Sequence, residues 1–403
     1  MRKTNPDLKV SVMKIAIVSR HDPEDVSAWS GTPYFITREI KKISGDVVVV
    51  RAQKTAWLLM LTKAFRYLFR KLGFSIDLSV TGAFSKAVSK EIQRKIDLTD
   101  PEVIVGIAAS PELAHIRTDV PIFHISDATY AIMTDYYPEH SRIPNWLWRE
   151  GNEIEREVIG KSFYSIFPSQ WAMNSAQKDY DANLAKLKFI RLGANVGSLP
   201  IISDAYLEKK FGGKCNILFM GKDWERKGGD IILSAFKHIR DAGIEAQLTI
   251  VGCDPFSARP PEGVQVYENL KKSDPEQFAL YNKLFSEASL FVLPTRAEAY
   301  GLVFAEAAAF ATPSVAPTTG GVPSVVDDGK SGVLLPSSAD GKDYADAIIK
   351  LWQDKTKLAE MAVYAHEKYV NELNWDKWRN DFSVLLSNLQ KADPLKEESI
   401  GGS

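Results

Sequence analysis

The sequence is poor in features that would place it at a glance, and each shortage excludes something. Only two cysteines occur in 403 residues, Cys215 and Cys253. One lies in a strand-like run and the other just past a second, so they read as small core residues rather than a disulfide or a metal pair. That usage suits a reducing compartment, and a cytoplasmic protein is expected. Excess charge of one sign is missing too. Fifty Lys and Arg against fifty-one Asp and Glu leave a net charge of -1, without the basic surplus of a nucleic-acid binder. No apolar run approaches the ~18 residues that suggest a membrane-spanning helix. The opening "MRKTNPDLKVSVMKI" (1–15) is basic but lacks an apolar stretch, so no secretory signal is expected. No short repeat, low-complexity block or metal-ligand spacing is visible, and neither a metal nor another cofactor is expected.

What is present is the composition of a globular chain, 45% apolar and 25% charged. The length favours two domains over one. Short β-branched runs alternate with helical patterns, the signature of parallel sheets built from βα units. In the first half they are "KIAIVS" (14–19), "DVVVVRA" (46–52), "VIVGIAA" (103–109), "PIFHISD" (121–127) and "SFYSIFPS" (162–169). The pattern restarts at "CNILFMG" (215–221), "AQLTIVG" (246–252), "VQVYE" (264–268), "LFVLPT" (290–295), "PSVAP" (313–317) and "GVLLP" (332–336). The expected fold is therefore α/β with two consecutive doubly wound, Rossmann-like domains. The divisions fall at 1–196 and 197–372, near "ANVGSLP", with the polar stretch after Leu386 frayed and 391–403 a flexible tail.

Open parallel sheets bind ligands beyond the carboxyl ends of their strands, so the loops there hold the candidate chemistry. "FMGKDWERKGG" (219–229) crowds Lys222, Arg226 and Lys227 into a turn closed by two glycines. It reads either as a solvated basic loop or as a diphosphate site, since cations fixed at a strand end make charge-assisted hydrogen bonds. In "LPTRAEAYGLVFAEAAAF" (293–310), Gly301 turns the chain into an Ala-rich helix whose first N–H groups lack intrahelical partners and can hold an anion. Glu298 precedes that turn and Glu306 lies within the helix. Carboxylates would repel phosphates, so the pair fits hydroxyls on either side of them, a sugar at one end and a ribose at the other. The alternative is a solvated helix face. "SRHDPEDVSAWSGTPYF" (19–35) places Gly31 before another helix, and "FHISDATY" (123–130) places His124 at a strand end, facing the expected cleft.

These blocks resemble retaining glycosyltransferases of family 4, which have the GT-B fold of two Rossmann-like domains facing across a cleft. "GKDWERKGG", "EAYGLVFAEA" and "TGGVPSVVDDGKSGVLLP" carry the resemblance most specifically; "FPSQWAMNSA" and "ELNWDKWRNDF" extend it over nearly the whole chain. It implies that Lys222 and Lys227 hold the donor diphosphate, together with the backbone of Tyr300, Gly301, Leu302 and Val303. It further implies that Glu298 lies near the donor sugar, that Glu306 binds the ribose, and that Ser30–Gly31 is the first-domain glycine loop. His124 is implied as the first-domain cleft histidine, grouped with Glu298, Lys222 and Lys227 as catalytic. The segment 373–390 is implied to cross back to the first domain. The sequence departs from the family pattern at Lys222 (usually Arg), Ser30 (Gly), Ala311 (Gly) and Ser324 (often Glu).

The function so implied is a hexosyltransferase moving a sugar, with retention, from a UDP- or GDP-sugar to a hydroxyl acceptor without a metal. The acceptor would be a glycan or lipid-linked, in polysaccharide, glycolipid or other glycoconjugate synthesis. The alternatives are a GT-B nucleotide-sugar epimerase and a non-catalytic sugar-nucleotide binder. "KTAWLLMLTKAFRYLFRKLGF" (54–74) interleaves Trp57, Leu61, Phe65, Leu68 and Phe69 with Lys63, Arg66, Arg70 and Lys71. It reads as a helix covering the first domain's core or, alternatively, as a peripheral contact with an anionic membrane.

Overall fold

The apolar runs become parallel strands because helices carry the chain back over each sheet, burying the strands on both faces. A computed structural model of the protein describes residues 13–52, 73–256 and 259–392, with Phe65 and Phe69 besides. Most of the 54–74 segment therefore lies outside the described residues. The chain divides into two compact units, one of residues 1–167, 173–190 and 375–403, the other of residues 168–172 and 191–374.

The first unit contains a six-stranded sheet among the described residues: β1 (Ile15–Ser19), β2 (Val47–Val50), β3 (Val103–Ile107), β4 (Ile122–Ile125), β5 (Tyr164–Phe167) and β6 (Leu187–Phe189). All pairings are parallel, in the order β2-β1-β3-β4-β5-β6, with Ile15 opposite both Val47 and Val103. β6 is absent from the sequence reading: three residues, "LKF", give too short a pattern to register. Ala16, Val18, Ile104 and Ile122 pack against Ile92 and Ile96 of helix Gly82–Thr99 and Ile154 and Val158 of helix Asn145–Lys161.

Helix Trp375–Ala392 completes this unit. Trp378 is fully buried and stacks on Phe382 at 4.9 Å; Phe382 meets Phe123 edge-on at 5.7 Å, and Trp375 stacks on Phe35 at 5.5 Å. Beside this apolar seam Glu39, at 0% exposure, takes Arg379 at 2.7 Å and Lys42 at 2.8 Å. Burial pushes the Glu39 carboxyl upward, but hydrogen bonds from Lys42, Arg379 and Arg38 outweigh it and hold the group below its ordinary range. The polar stretch after Leu386 is helical as far as Ala392, not frayed, because Leu389 is buried on the same face.

The second unit repeats the design with β7 (Cys215–Met220), β8 (Ala246–Val251), β9 (Val264–Tyr267), β10 (Leu290–Val292), β11 (Ser314–Pro317) and β12 (Gly332–Leu335). The order is β12-β11-β10-β7-β8-β9, again all parallel. Residues 191–195 belong here: the Ala194 N–H donates to Leu373 O at 2.8 Å, and Tyr300 Oη donates to Leu192 O at 3.0 Å. Strand order reverses between β7 and β10 in this unit and between β1 and β3 in the first. Such switch points leave a crevice beyond the strand ends. Among the described residues no helix is long and apolar enough to cross a membrane.

Candidate active site

In the second unit the loops after β7 and β10 flank the switch point and are tied together. Arg226, whose backbone carbonyl accepts from the Arg296 N–H at 2.7 Å, reaches Ala297 O with its guanidinium at 2.9 Å. Arg296 forks onto both oxygens of Asp230 at 2.9 and 2.7 Å. Arg226 thus serves the loop itself, while Lys222 is exposed beside it. Lys227 forms an ion pair with Glu298, their side chains 12% and 15% exposed. The residues read as diphosphate cation and sugar-facing carboxylate are therefore in direct contact.

Behind Glu298 the loop after β11 approaches as closely as backbone can. A Cβ at Gly321 would stand 2.1 Å from Ala299 O, and the Gly321 N–H donates to Glu298 O at 3.1 Å. Gly301, at φ +91°, is the left-handed cap that starts helix Leu302–Ala309. The N–H groups of Leu302 and Val303 open this helix, where no preceding turn can accept from them. Phe304 anchors it edge-on to Phe291 of β10 at 5.4 Å.

Glu306 is 3% exposed, and both of its oxygens are engaged. Lys272 pairs with one and also reaches Asn195 O at 3.2 Å; the Tyr281 hydroxyl donates to the other. Burial and the neighbouring carboxylate push the Tyr281 phenol far above its ordinary range, so it stays a donor. Lys272 also lies over the Tyr281 ring at 4.4 Å. Sequence reading missed both partners: Lys272 lies in "ENLKKSDPEQF" (268–278), which looks like an ordinary polar loop, and Tyr281 lies further along the helix Pro275–Glu287. The available signal was a cation shortly after β9.

Gly31 and His124 belong to the first unit. Gly31, at φ +83°, caps helix Thr32–Ile43 and ends a run in which Trp29 (φ +46°) and Ser30 (φ +57°) are also left-handed. For His124 the expectation of a side chain facing a cleft is corrected. The imidazole is 0% exposed within β4, its Nε2 lies 3.2 Å from Ser110 Oγ, and its Nδ1 has no partner among the described residues. Burial lowers its pKa to about 4, so the ring is neutral. Ser110 also hydrogen-bonds the Glu155 carboxyl, which burial raises to about 7 against that bond. A buried chain Glu155–Ser110–His124 thus runs through the first unit, and neither Ser110 nor Glu155 was singled out from sequence. Among the described residues no three His, Cys, Asp or Glu side chains converge as a metal set.

Residues 214–354 match the family model described as Glycosyl transferases group 1. A D-inositol 3-phosphate glycosyltransferase of Corynebacterium jeikeium (strain K411) is 28% identical over 268 residues, 62% of this chain and 62% of that protein. The chain thus aligns with about three fifths of that relative's length. Among solved structures, a glycosyltransferase from Rickettsia africae ESF-5 superposes with TM-score 0.64 at 14% identity, over 95% of this chain and all of that one. Anabaena HepE in complex with UDP gives 0.64 at 16% identity, over 93% of this chain and 100% of that one. At such identities the structural likeness is one of fold, and the fold is GT-B.

Proposed function

We propose that the chain, whose residues 214–354 match the family model described as Glycosyl transferases group 1, transfers a sugar from a nucleoside-diphosphate sugar to a hydroxyl acceptor. The observation that carries the reading is the Lys227–Glu298 pair, held where the β7 and β10 loops meet. A departing diphosphate needs cations and preorganised N–H donors, and Lys222, Lys227 and the Leu302 and Val303 amides are available for that task. Each charge-assisted contact contributes roughly 1.5–3 kcal/mol. Glu298 would be handed from Lys227 to the donor sugar as phosphate takes the ammonium. Glu306, already holding Lys272 and Tyr281, keeps lone pairs that a ribose diol can use. His124 acts indirectly, by fixing Ser110.

UDP is the first nucleotide to try, since HepE, a neighbour in fold, has been solved with it. The family resemblance supports retention of configuration, and the cations Lys222 and Lys227 support transfer without a metal. The acceptor would be a glycan or lipid-linked hydroxyl. The test is calorimetry with UDP and GDP, then mass spectrometry of products from each nucleotide sugar with candidate acceptors, with and without chelator. Diphosphate binding unchanged in both Lys222→Ala and Lys227→Ala removes the loop from the site. Diphosphate released with no glycoside formed favours an epimerase, and loss of transfer in chelator returns a metal to the mechanism.

A further inference from the structure

Parallel sheets are normally covered on both faces, and the sheet of the second unit departs from that on one side. Helix Pro275–Glu287 packs over β7 there and leaves β8 and β9 uncovered, so a trough of about 1060 Å³ opens beside it. None of the residues used by the donor reading lines this trough. Its volume is at the top of the range of about 300–1,000 Å³ for small-molecule sites, which suits a short oligomer.

The strands are patterned for such an opening. Leu248 and Ile250 are buried on the far face, while Gln247 and Thr249 alternate with them toward the trough. Register sets Asn216 beside Gln247 and Thr249 beside Gln265, so the floor is a patch of amides and hydroxyls. Gln247 Nε2 donates to Gln265 Oε1 at 3.2 Å, and Gln265 Nε2 donates to Tyr267 Oη at 2.7 Å. That relay ends in the Gln247 carbonyl oxygen and the Tyr267 phenolic proton, an acceptor and a donor suited to hydroxyl groups. Phe278 adds an apolar wall on which the C–H face of a sugar ring can pack.

Charge narrows the occupant further. Lys209, Lys210, Lys214 and Lys283 face one carboxylate, Glu287, and the described lining holds no Asp, Arg or His. Lys210 is buried, with its ammonium on Phe285 O, Ser286 O and Thr312 Oγ1, and Lys283 lies 3.7 Å from Glu287. Lys209 and Lys214 are exposed and make no ion pair among the described residues. Glu208, Glu245 and Glu276 are near in sequence but exposed and outside the lining, so a ligand in the trough meets the ammonium groups first. A second copy of the chain, docked by the same face, would set these like charges together.

Resting on the glycosyl-transfer reading for the kind of polymer, we propose that the trough holds an acidic oligosaccharide apart from the reacting groups. Its hydroxyls would lie on the amide floor and its carboxylates on Lys209 and Lys214. The test compares tetragalacturonate, maltotetraose and tetraglutamate by calorimetry and saturation-transfer NMR, with UDP affinity measured on the same samples. Tetragalacturonate should bind about tenfold more tightly than maltotetraose, the combined effect of two exposed ion contacts. Reversing both lysines, Lys209→Glu and Lys214→Glu, should erase that preference while the fold and UDP binding are kept. Exposed Gln265→Ala should weaken both sugars alike. Tetraglutamate binding as tightly as tetragalacturonate, or maltotetraose matching it, overturns the proposal. So does a chain that binds UDP but no sugar probe, or a dimer in sedimentation that the charge reversal abolishes. Tetragalacturonate binding while UDP does not would uphold the trough and sink the donor reading.

Discussion

Lys272 and Glu306 are ion-paired with the carboxylate almost wholly out of water, and Tyr281 donates to the oxygen that Lys272 leaves. Removing the ammonium strands a buried charge. Lys272→Met should therefore destabilise the protein by about 1–3 kcal/mol, the cost of an unsatisfied buried acceptor. Adding Glu306→Gln should recover part of that loss. A double-mutant cycle by urea denaturation checks it: strictly additive effects would mean that the pair is not coupled.

Without ligand, Glu298 occupies the cation that a diphosphate would need. Glu298→Gln should then bind UDP at least as tightly as wild type, with up to about tenfold gain if the competition is worth 1.4 kcal/mol. Transfer should fall on the order of a hundredfold through loss of a preorganised charge. Weaker UDP binding in this variant would show that the carboxylate helps to hold the diphosphate site together.

His124 and Glu155 give opposite pH slopes. With its folded pKa lowered to about 4, His124 contributes stability above 6.5 that is lost as pH falls toward 4. With its folded pKa raised to about 7, Glu155 contributes stability below 4.5 that is lost as pH rises through 7. Between about 4.5 and 6.5 the two largely cancel. Glu155→Gln should unmask the histidine, and stability should drop by up to about 1.4 kcal/mol per unit of acidification across that range. Denaturant midpoints at several pH values measure this, and a flat profile in the variant would contradict it.

Trp378 is buried against Phe382, and its Nε1 has no hydrogen-bond partner among the described residues. Trp378→Ala should cost about 3–5 kcal/mol. Trp378→Phe should cost clearly less, since it keeps a stacking ring and removes the unmatched N–H. Equal losses in thermal denaturation would argue against this account of the seam.

Much of this was legible in the sequence, for identifiable reasons. Eleven apolar runs announced the strands, because parallel strands buried on both faces keep long β-branched runs. The same burial hid the orientation of His124: in β4 both faces are inside, so alternation could not say where the ring points. Glu298, Gly301 and Glu306 stood out because their chemistry is local, the two carboxylates having seven residues between them across one turn. Lys272, Tyr281, Ser110 and Glu155 did not, since their meaning arises only when distant strand ends are brought side by side. Glu306 shows the limit well, found by its spacing and yet held by partners 34 and 25 positions away.

Helix Trp375–Ala392 packs on Phe35 and Phe123, but all of Arg191–Asn374 is encoded between those rings and their cover. On a ribosome making roughly 5–20 residues per second, the interval is about 10–40 s. During it the second unit can fold entire, while the nascent first unit waits with an aromatic groove open to solvent. Completion thus runs against the order along the chain: the unit that begins first is finished second.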